Sequence, residues 1–159
     1  TGTYSKVVTG LTHLNTRVVS ILGDGAVYPD VTVTTGSVTI SKSCNVIHIG
    51  LSYTSTIKTS RLEAGSLTES SQGLIKRVYK SIVRLWRSLG CQIGNETTQD
   101  TVLFRDTTVL MGAATSLFTG DKEVQFPIGW GKKAQVYITQ SQPLPLNVLA
   151  VISKVEVST

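Results

Sequence analysis

The stretch SSQGLIKRVYKSIVRLWRSL (Ser70–Leu89) decides the fold, because it carries two incompatible periodicities. Leu74, Ile75, Val78, Tyr79, Ile82, Val83, Trp86 and Leu89 recur every three or four residues, while Lys76, Lys80, Arg84 and Arg87 share another face, the layout of an amphipathic helix. Ser70 or Ser71 would cap its start and Gly90 its end. Against a helix stand Val78, Ile82 and Val83, whose branched side chains are stiff at χ1, and an alternation of Tyr79, Ser81, Val83 and Leu85 with charged residues between. Within this segment the residues leave helix (at 71–89) and strand both open.

On either side the pattern is β. Arg17–Leu22 is a Val/Ile-rich run ending in Gly23-Asp24-Gly25, which permits a tight reversal at positive φ. Val31, Val33, Val38 and Ile40 alternate with hydroxylated residues around Gly36, which predicts two short strands joined at Thr35-Gly36. Val46–Ile49 and Tyr53–Ile57 continue the pattern, with a bend or bulge expected at Gly50. Asn95–Asp100 reads as a loop, Val102–Phe104 and Thr108–Met111 as short strands, and Thr119-Gly120-Asp121-Lys122 as a turn leading into Val124–Phe126. Gly129-Trp130-Gly131 also reads as a turn. Ala134–Thr139 alternates again, and Pro143 and Pro145 precede a last long strand within Leu146–Val157.

The chain has 159 residues, of which 40 % are hydrophobic, 16 % charged and 6 % aromatic, enough for one sizeable core with many half-buried strands. No repeat or linker-like composition break appears. The expectation is mainly β: an antiparallel β-sandwich or barrel-like single domain over 1–159, with at most one helix, at 71–89. No stretch approaches the roughly 18 uninterrupted apolar residues of a membrane span, so a soluble domain is expected. The opening TGTYSKVVTG has no initiating Met and reads as a processed chain or part of a longer protein.

The formal net charge is +5, compatible with nucleic acid or an acidic partner. Lys76, Arg77, Lys80, Arg84 and Arg87 concentrate much of the excess, with Tyr79 and Trp86 interleaved, and form the candidate anion- or partner-facing set; the competing reading is a solvated face that guards an exposed strand. Reactive motifs are missing. His13 and His48 have no second ligand at short spacing, and the sequence contains no phosphate-binding loop, nucleophile elbow or HExxH. The acidic residues number only 10, several of them at turn-like positions such as Asp24, Asp30 and Asp121. Cys44 and Cys91 read as two buried free thiols. No catalytic residue, metal site or cofactor is expected, which moves weight from an enzyme toward a binding or assembly module.

Ordered strings add a resemblance. Gly10-Leu11-Thr12-His13-Leu14, Val18–Ile21, Gly23-Asp24-Gly25-Ala26-Val27 and Pro29-Asp30 are followed by His48-Ile49-Gly50-Leu51-Ser52-Tyr53-Thr54-Ser55, Lys58-Thr59 and Leu62-Glu63. Gln72-Gly73 with Lys76-Arg77, Val83-Arg84-Leu85, Ser88-Leu89-Gly90, Leu117–Lys122, Gln142–Leu146 and Val148-Leu149-Ala150 complete the series. Together they resemble the C-terminal region of tail structural proteins of tailed bacteriophages, nearest to the tail tubular or nozzle-type family, although Ser52 stands where that family carries proline.

The resemblance implies mainly β structure, no catalytic centre, a strand at Lys76–Arg87, location in the virion tail, and self-association into a ring that conducts DNA during ejection. Implied partners are further copies of the chain, neighbouring tail proteins such as an adaptor, and transiently the phage DNA. The alternative expectation is a host-surface recognition module for a glycan or protein, with Tyr53, Trp86 and Trp130 as stacking platforms.

Overall fold

A computed structural model describes residues 4–63, 73–105, 113–126 and 129–158. Its elements are β1 (Ser5–Thr9), a 3-10 turn (Thr12–Leu14), β2 (Val18–Gly23), β3 (Ala26–Thr32), β4 (Ser37–Cys44), β5 (Ile47–Gly50) and β6 (Ser55–Lys58). The remaining strands are β7 (Lys76–Ser88), β8 (Gln92–Gly94), β9 (Gln99–Thr101), β10 (Phe118–Gln125), β11 (Tyr137–Gln140) and β12 (Val148–Val157). The protein is mainly β, and every strand pair is antiparallel. No helix among the described residues is long and apolar enough to cross a membrane. Ser70, Ser71 and the expected strand at Thr108–Met111 lie outside the described residues.

The chain gathers into two compact units, one of Thr1–Thr54, Arg105–Ser116 and Ser141–Leu144, the other of Ser55–Phe104, Leu117–Gln140 and Pro145–Thr159. Composition marks no boundary because each unit is assembled from separated stretches rather than joined by a linker. In the first unit the sheet β3-β2-β5 and the pair β1-β4 share one core. Val19 and Ile21 of β2, Val38, Ile40 and Cys44 of β4, and Val33 between them are all buried there. The core members on β2 and β4 fall on the inward side of each strand, and Val33 joins them from the connection between β3 and β4.

The turns of this unit show how local chemistry sets its path. Asp24 and Gly25 have φ of 47° and 80°, as a two-residue type I′ hairpin turn requires, and join β2 to β3. The Asp24 carboxylate also accepts the amides of Asn45 (3.0 Å) and Val46 (2.8 Å), tying that hairpin to the β4–β5 connection. These two amides hold the Asp24 carboxyl below its ordinary pKa. Thr35 and Gly36 make a second tight turn, with φ of 51° and 71°, but the expected hairpin stops after a single bridge, Thr34 to Ser37. Beyond it the arms part: β3 pairs with β2 and β4 with β1. A corner, rather than a ladder, lets the apolar sides of both arms bury in the same core.

In the second unit, the sheet β10-β7-β12 and the sheet β6-β11-β8-β9 enclose a core of Val78, Val83, Leu85, Cys91, Ile93, Val102, Phe126, Val136 and Ile138. The open question at 71–89 is settled as strand over Lys76–Ser88, hydrogen-bonded along both edges. Of the eight apolar residues that suggested a helix, only Val78, Val83 and Leu89 are buried, and two bulges on β7 interrupt the strand's alternation. Val155 pairs with Val78 while Lys154 pairs with Lys80, so Tyr79 is an extra residue on β7. Phe118 pairs with Ser88 while Gly120 pairs with Leu85, so β7 again holds one residue more than β10, where Arg87 takes φ 44°. Each bulge resets the strand's period of two. The buried positions are consequently 76, 78, 81, 83, 85 and 88, and Val78, Ser81, Leu85 and Ser88 fall at helix-like steps of three and four.

Other elements differ from expectation for related reasons. Thr119–Lys122 is not a turn but lies inside β10, where Gly120, at φ 142°, sits at the bulge. Val102–Phe104 is irregular; the strand lies just before it, at Gln99–Thr101, pairing through its backbone with β8 while its side chains face outward. Asp100 and Gln99 therefore belong to a hairpin whose loop is shorter than expected. Asn95 nucleates that loop, its Oδ1 accepting the amides of Thr97 (2.8 Å) and Thr98 (2.5 Å).

This fold makes two expected outcomes measurable. Leu85→Ala should lower unfolding free energy by about 2–5 kcal/mol in denaturant titrations, whereas Trp86→Ala, one position along and half-exposed, should cost under about 1 kcal/mol; equal losses would contradict the strand alternation. Asp24→Asn keeps a residue tolerant of positive φ but removes the charge. Because folding lowers the Asp24 pKa, its contribution is present above the ordinary carboxylate range and is lost as pH falls through the folded value. The parent should thus be more stable than Asp24→Asn at neutral pH, and the difference should close under acid when thermal midpoints are compared.

Candidate functional site

The five basic residues of β7 do not form one open cationic row. Lys76 is buried, its Nζ donating to the Leu62 carbonyl at 2.7 Å, and its backbone exchanges two 2.8 Å hydrogen bonds with Gly131. Arg77 pairs with Glu156 of β12 at 2.7 Å. Lys80 pairs with Glu123 of β10. Arg84 grips Asp121 of β10 through two bonds of 2.8 and 2.9 Å. The Asp121 contact raises the Arg84 pKa, and the guanidinium in turn holds the Asp121 carboxyl below its usual range. Arg87 sits at the bulge, where its amide donates to Thr119 Oγ1 at 3.0 Å.

Antiparallel register explains the pattern. Asp121 lies directly opposite Arg84 and Glu156 opposite Arg77, while Glu123 stands opposite Ile82, diagonal to Lys80. Exposed pairs of this kind add little stability each, but they cancel the local field that a row of unpaired cations would project. The same sheet leaves apolar groups in solvent: Trp86, Leu149 and Ile152 are 53 %, 62 % and 47 % exposed.

A cavity of about 450 Å³ opens at the other end of β7. The start of β7 supplies Arg77, the β8–β9 loop supplies Asn95 and Thr97, and the segment leading into β11 supplies Trp130, Lys132 and Gln135. Phe126 and Tyr137 form apolar wall. No turn forms at Gly129-Trp130-Gly131; the backbone pairing of Gly131 with Lys76 fixes this segment beside the strand, and the Arg77 guanidinium lies 5.2 Å from the Trp130 ring centroid. Lys133 approaches Glu96 at 3.7 Å. Tyr137 is only 9 % exposed. Lys58 lies 5.2 Å from its ring centroid and, as an ammonium, offers only donors, so the buried Tyr137 hydroxyl proton has no acceptor among the described residues.

The three aromatic candidates are not brought together. Tyr53, 80 % exposed, belongs to the first unit; Trp86 stands on the sheet face; Trp130 alone of the three lines the cavity. Of the basic candidates, Lys76 and Arg77 also line the cavity; the rest of its lining escaped the sequence reading, although Lys132-Lys133 directly after Gly129-Trp130-Gly131 was the signal that marked it. His13 and His48 are both exposed, and among the described residues no three His, Cys, Asp or Glu side chains gather at a metal-sized point. Cys44 and Cys91 are buried free thiols. Burial pushes the Cys91 thiol up to about 11, away from its reactive form. The Tyr28 hydroxyl, 3.3 Å from Cys44 Sγ, is pushed up to about 12, chiefly by that contact.

Compared with known family models and with curated proteins, the sequence matches none. The pairing of the β7 cations gives a direct prediction. The combined variant Asp121→Asn, Glu123→Gln, Glu156→Gln should bind duplex DNA at low salt roughly tenfold more tightly than the parent, with a steeper salt dependence, in fluorescence anisotropy titrations.

Proposed function

We propose that this chain is a structural module of a bacteriophage tail, of the nozzle or tubular type, which assembles with its own copies into a ring that conducts DNA. The ordered strings along the sequence suggest the family. The observation that carries the assembly reading is β12: ten residues long and hydrogen-bonded along one edge to β7, it has no second strand partner among the described residues and exposes Leu149 and Ile152. Long apolar edge strands invite pairing with another chain, and a ring interface of about 800 Å² per partner would cover this one. Self-neutralised cations on the adjoining sheet suit a conduit, because DNA that must leave is not held by many phosphate contacts. An adaptor or another tail protein would cap such a ring.

A second reading, recognition of a host surface, is favoured by one observation: Trp130 lines a cavity. The assembly reading predicts that the parent chain self-associates with rising concentration in sedimentation velocity, and that Leu149→Glu with Ile152→Glu leaves a folded monomer. A parent that stays monomeric at every concentration, and tails whose electron-microscopy density places this chain elsewhere, would remove it.

A further inference from the structure

We propose that the ring seam is a parallel strand pairing, in which the free edge of β12 in one copy lies against the free edge of β10 in the next and continues the sheet β10-β7-β12 from copy to copy. The inference rests on the assembly reading and adds to it which edges meet, in which direction and in which register.

Direction follows from topology and symmetry together. β7 is antiparallel to both of its neighbours, so β10 and β12, at opposite edges of the sheet, run the same way. Neither edge strand has a second strand partner among the described residues. Two β12 edges meeting about a two-fold axis would be antiparallel, but that contact uses the same patch on both copies and stops at a pair, whereas a ring needs two different patches. The rotation between neighbours in a ring of more than a few copies nearly preserves strand direction, so β12 meets the β10 of the next copy in parallel. Every edge of this sheet is then covered.

The two edges match. Beyond the bulge at Leu149, Ala150–Val157 of β12 carries no extra residue and is as long as β10. On the inward face Val151 and Val155 of β12, and Phe118 and Val124 of β10, pack against the core yet stay only half-buried, so a neighbouring strand would complete their cover.

Charge selects the register. On the outward face β12 presents Ile152, Lys154 and Glu156, and β10 presents Thr119, Asp121, Glu123 and Gln125. Lys154 stands opposite Lys80 in the ladder, a like-charge pair, and has no carboxylate partner among the described residues. Setting Lys154 beside Glu123 of the next copy also sets Glu156 beside Gln125 and Val155 beside Val124. Lys80 engages Glu123 through Oε1, and a carboxylate accepts on both oxygens. Sliding two residues one way brings Glu156 beside Glu123, and sliding two the other way leaves Lys154 beside Gln125 with no anion.

The test oxidises intact chains carrying new cysteines with copper phenanthroline and follows the same chains, reduced, by sedimentation velocity. The parent, whose Cys44 and Cys91 are buried, is the blank. Within one copy β7 separates β10 from β12 by two strand spacings, roughly 10 Å, too far for a disulfide, so bonds formed in Lys154→Cys with Glu123→Cys join copies. That double variant should give a ladder of covalent trimers and larger species, and each single variant should stay monomeric under denaturing conditions. Charge exchange gives a readout without cysteines: Lys154→Glu should weaken self-association about tenfold at low salt, and adding Glu123→Lys should restore it. A covalent dimer from Lys154→Cys alone, self-association without a ladder in the double variant, or a charge exchange that restores nothing would each overturn this seam while leaving assembly standing. A parent that stays monomeric at every concentration would remove the assembly reading and this seam with it.

Discussion

The second unit depends on β7, a thirteen-residue strand paired with β12 over Lys76–Leu85 and with β10 over Lys80–Ser88. A central strand of that length has no spare donors or acceptors to offer solvent, so every irregularity must be absorbed as a bulge rather than as a break in pairing. Tyr79 and Arg87 mark the two places on β7 where this happens, and Leu149 marks a third on the β12 side of the ladder. Each reset moves the next set of side chains to the opposite face, which is why the core takes Val78, then Val83 and Leu85, with Ser81 and Ser88 also buried. Ser88 is held there by its bonds to the Trp86 and Asn147 carbonyls and by the Asn147 amide.

The same register governs electrostatics. Once β10 and β12 are locked beside β7, Asp121, Glu123 and Glu156 stand within reach of Arg84, Lys80 and Arg77. A chain with net charge +5 therefore carries its densest cluster of cations in largely neutralised form. Lys132, near the cavity, is among the cations with no carboxylate partner among the described residues. Fold and field are thus coupled: the ladder that buries Leu85 also decides which cations remain available to a partner.

The first unit reaches its shape by a different route. Its tight turns, Asp24-Gly25 and Thr35-Gly36, are chemically specified, and the Asp24 carboxylate extends one of them into a tie between two connections. The path of the chain beyond each turn is set by distant residues instead. After Thr35-Gly36 the arms separate because Asn15 Oδ1 receives the Gly36 amide at 2.7 Å and Val33 bonds to Arg17, contacts that reach back about twenty residues.

Read alone, the residues determined the β class, the positive-φ turns, the buried thiols and the last strand, because each rests on a local property: alternation, glycine and aspartate at reversals, apolar surroundings, prolines ahead of a branched run. Tertiary structure alone decided the bulges in the strand at Lys76–Ser88, the burial of Lys76, the pairing of the β7 cations and the grouping of Trp130 with Tyr137 around one cavity. The reason is common to all four. A bulge, a buried ion or a cavity is defined by what the neighbouring strand places opposite a residue, and here those neighbours lie tens of residues away along the chain.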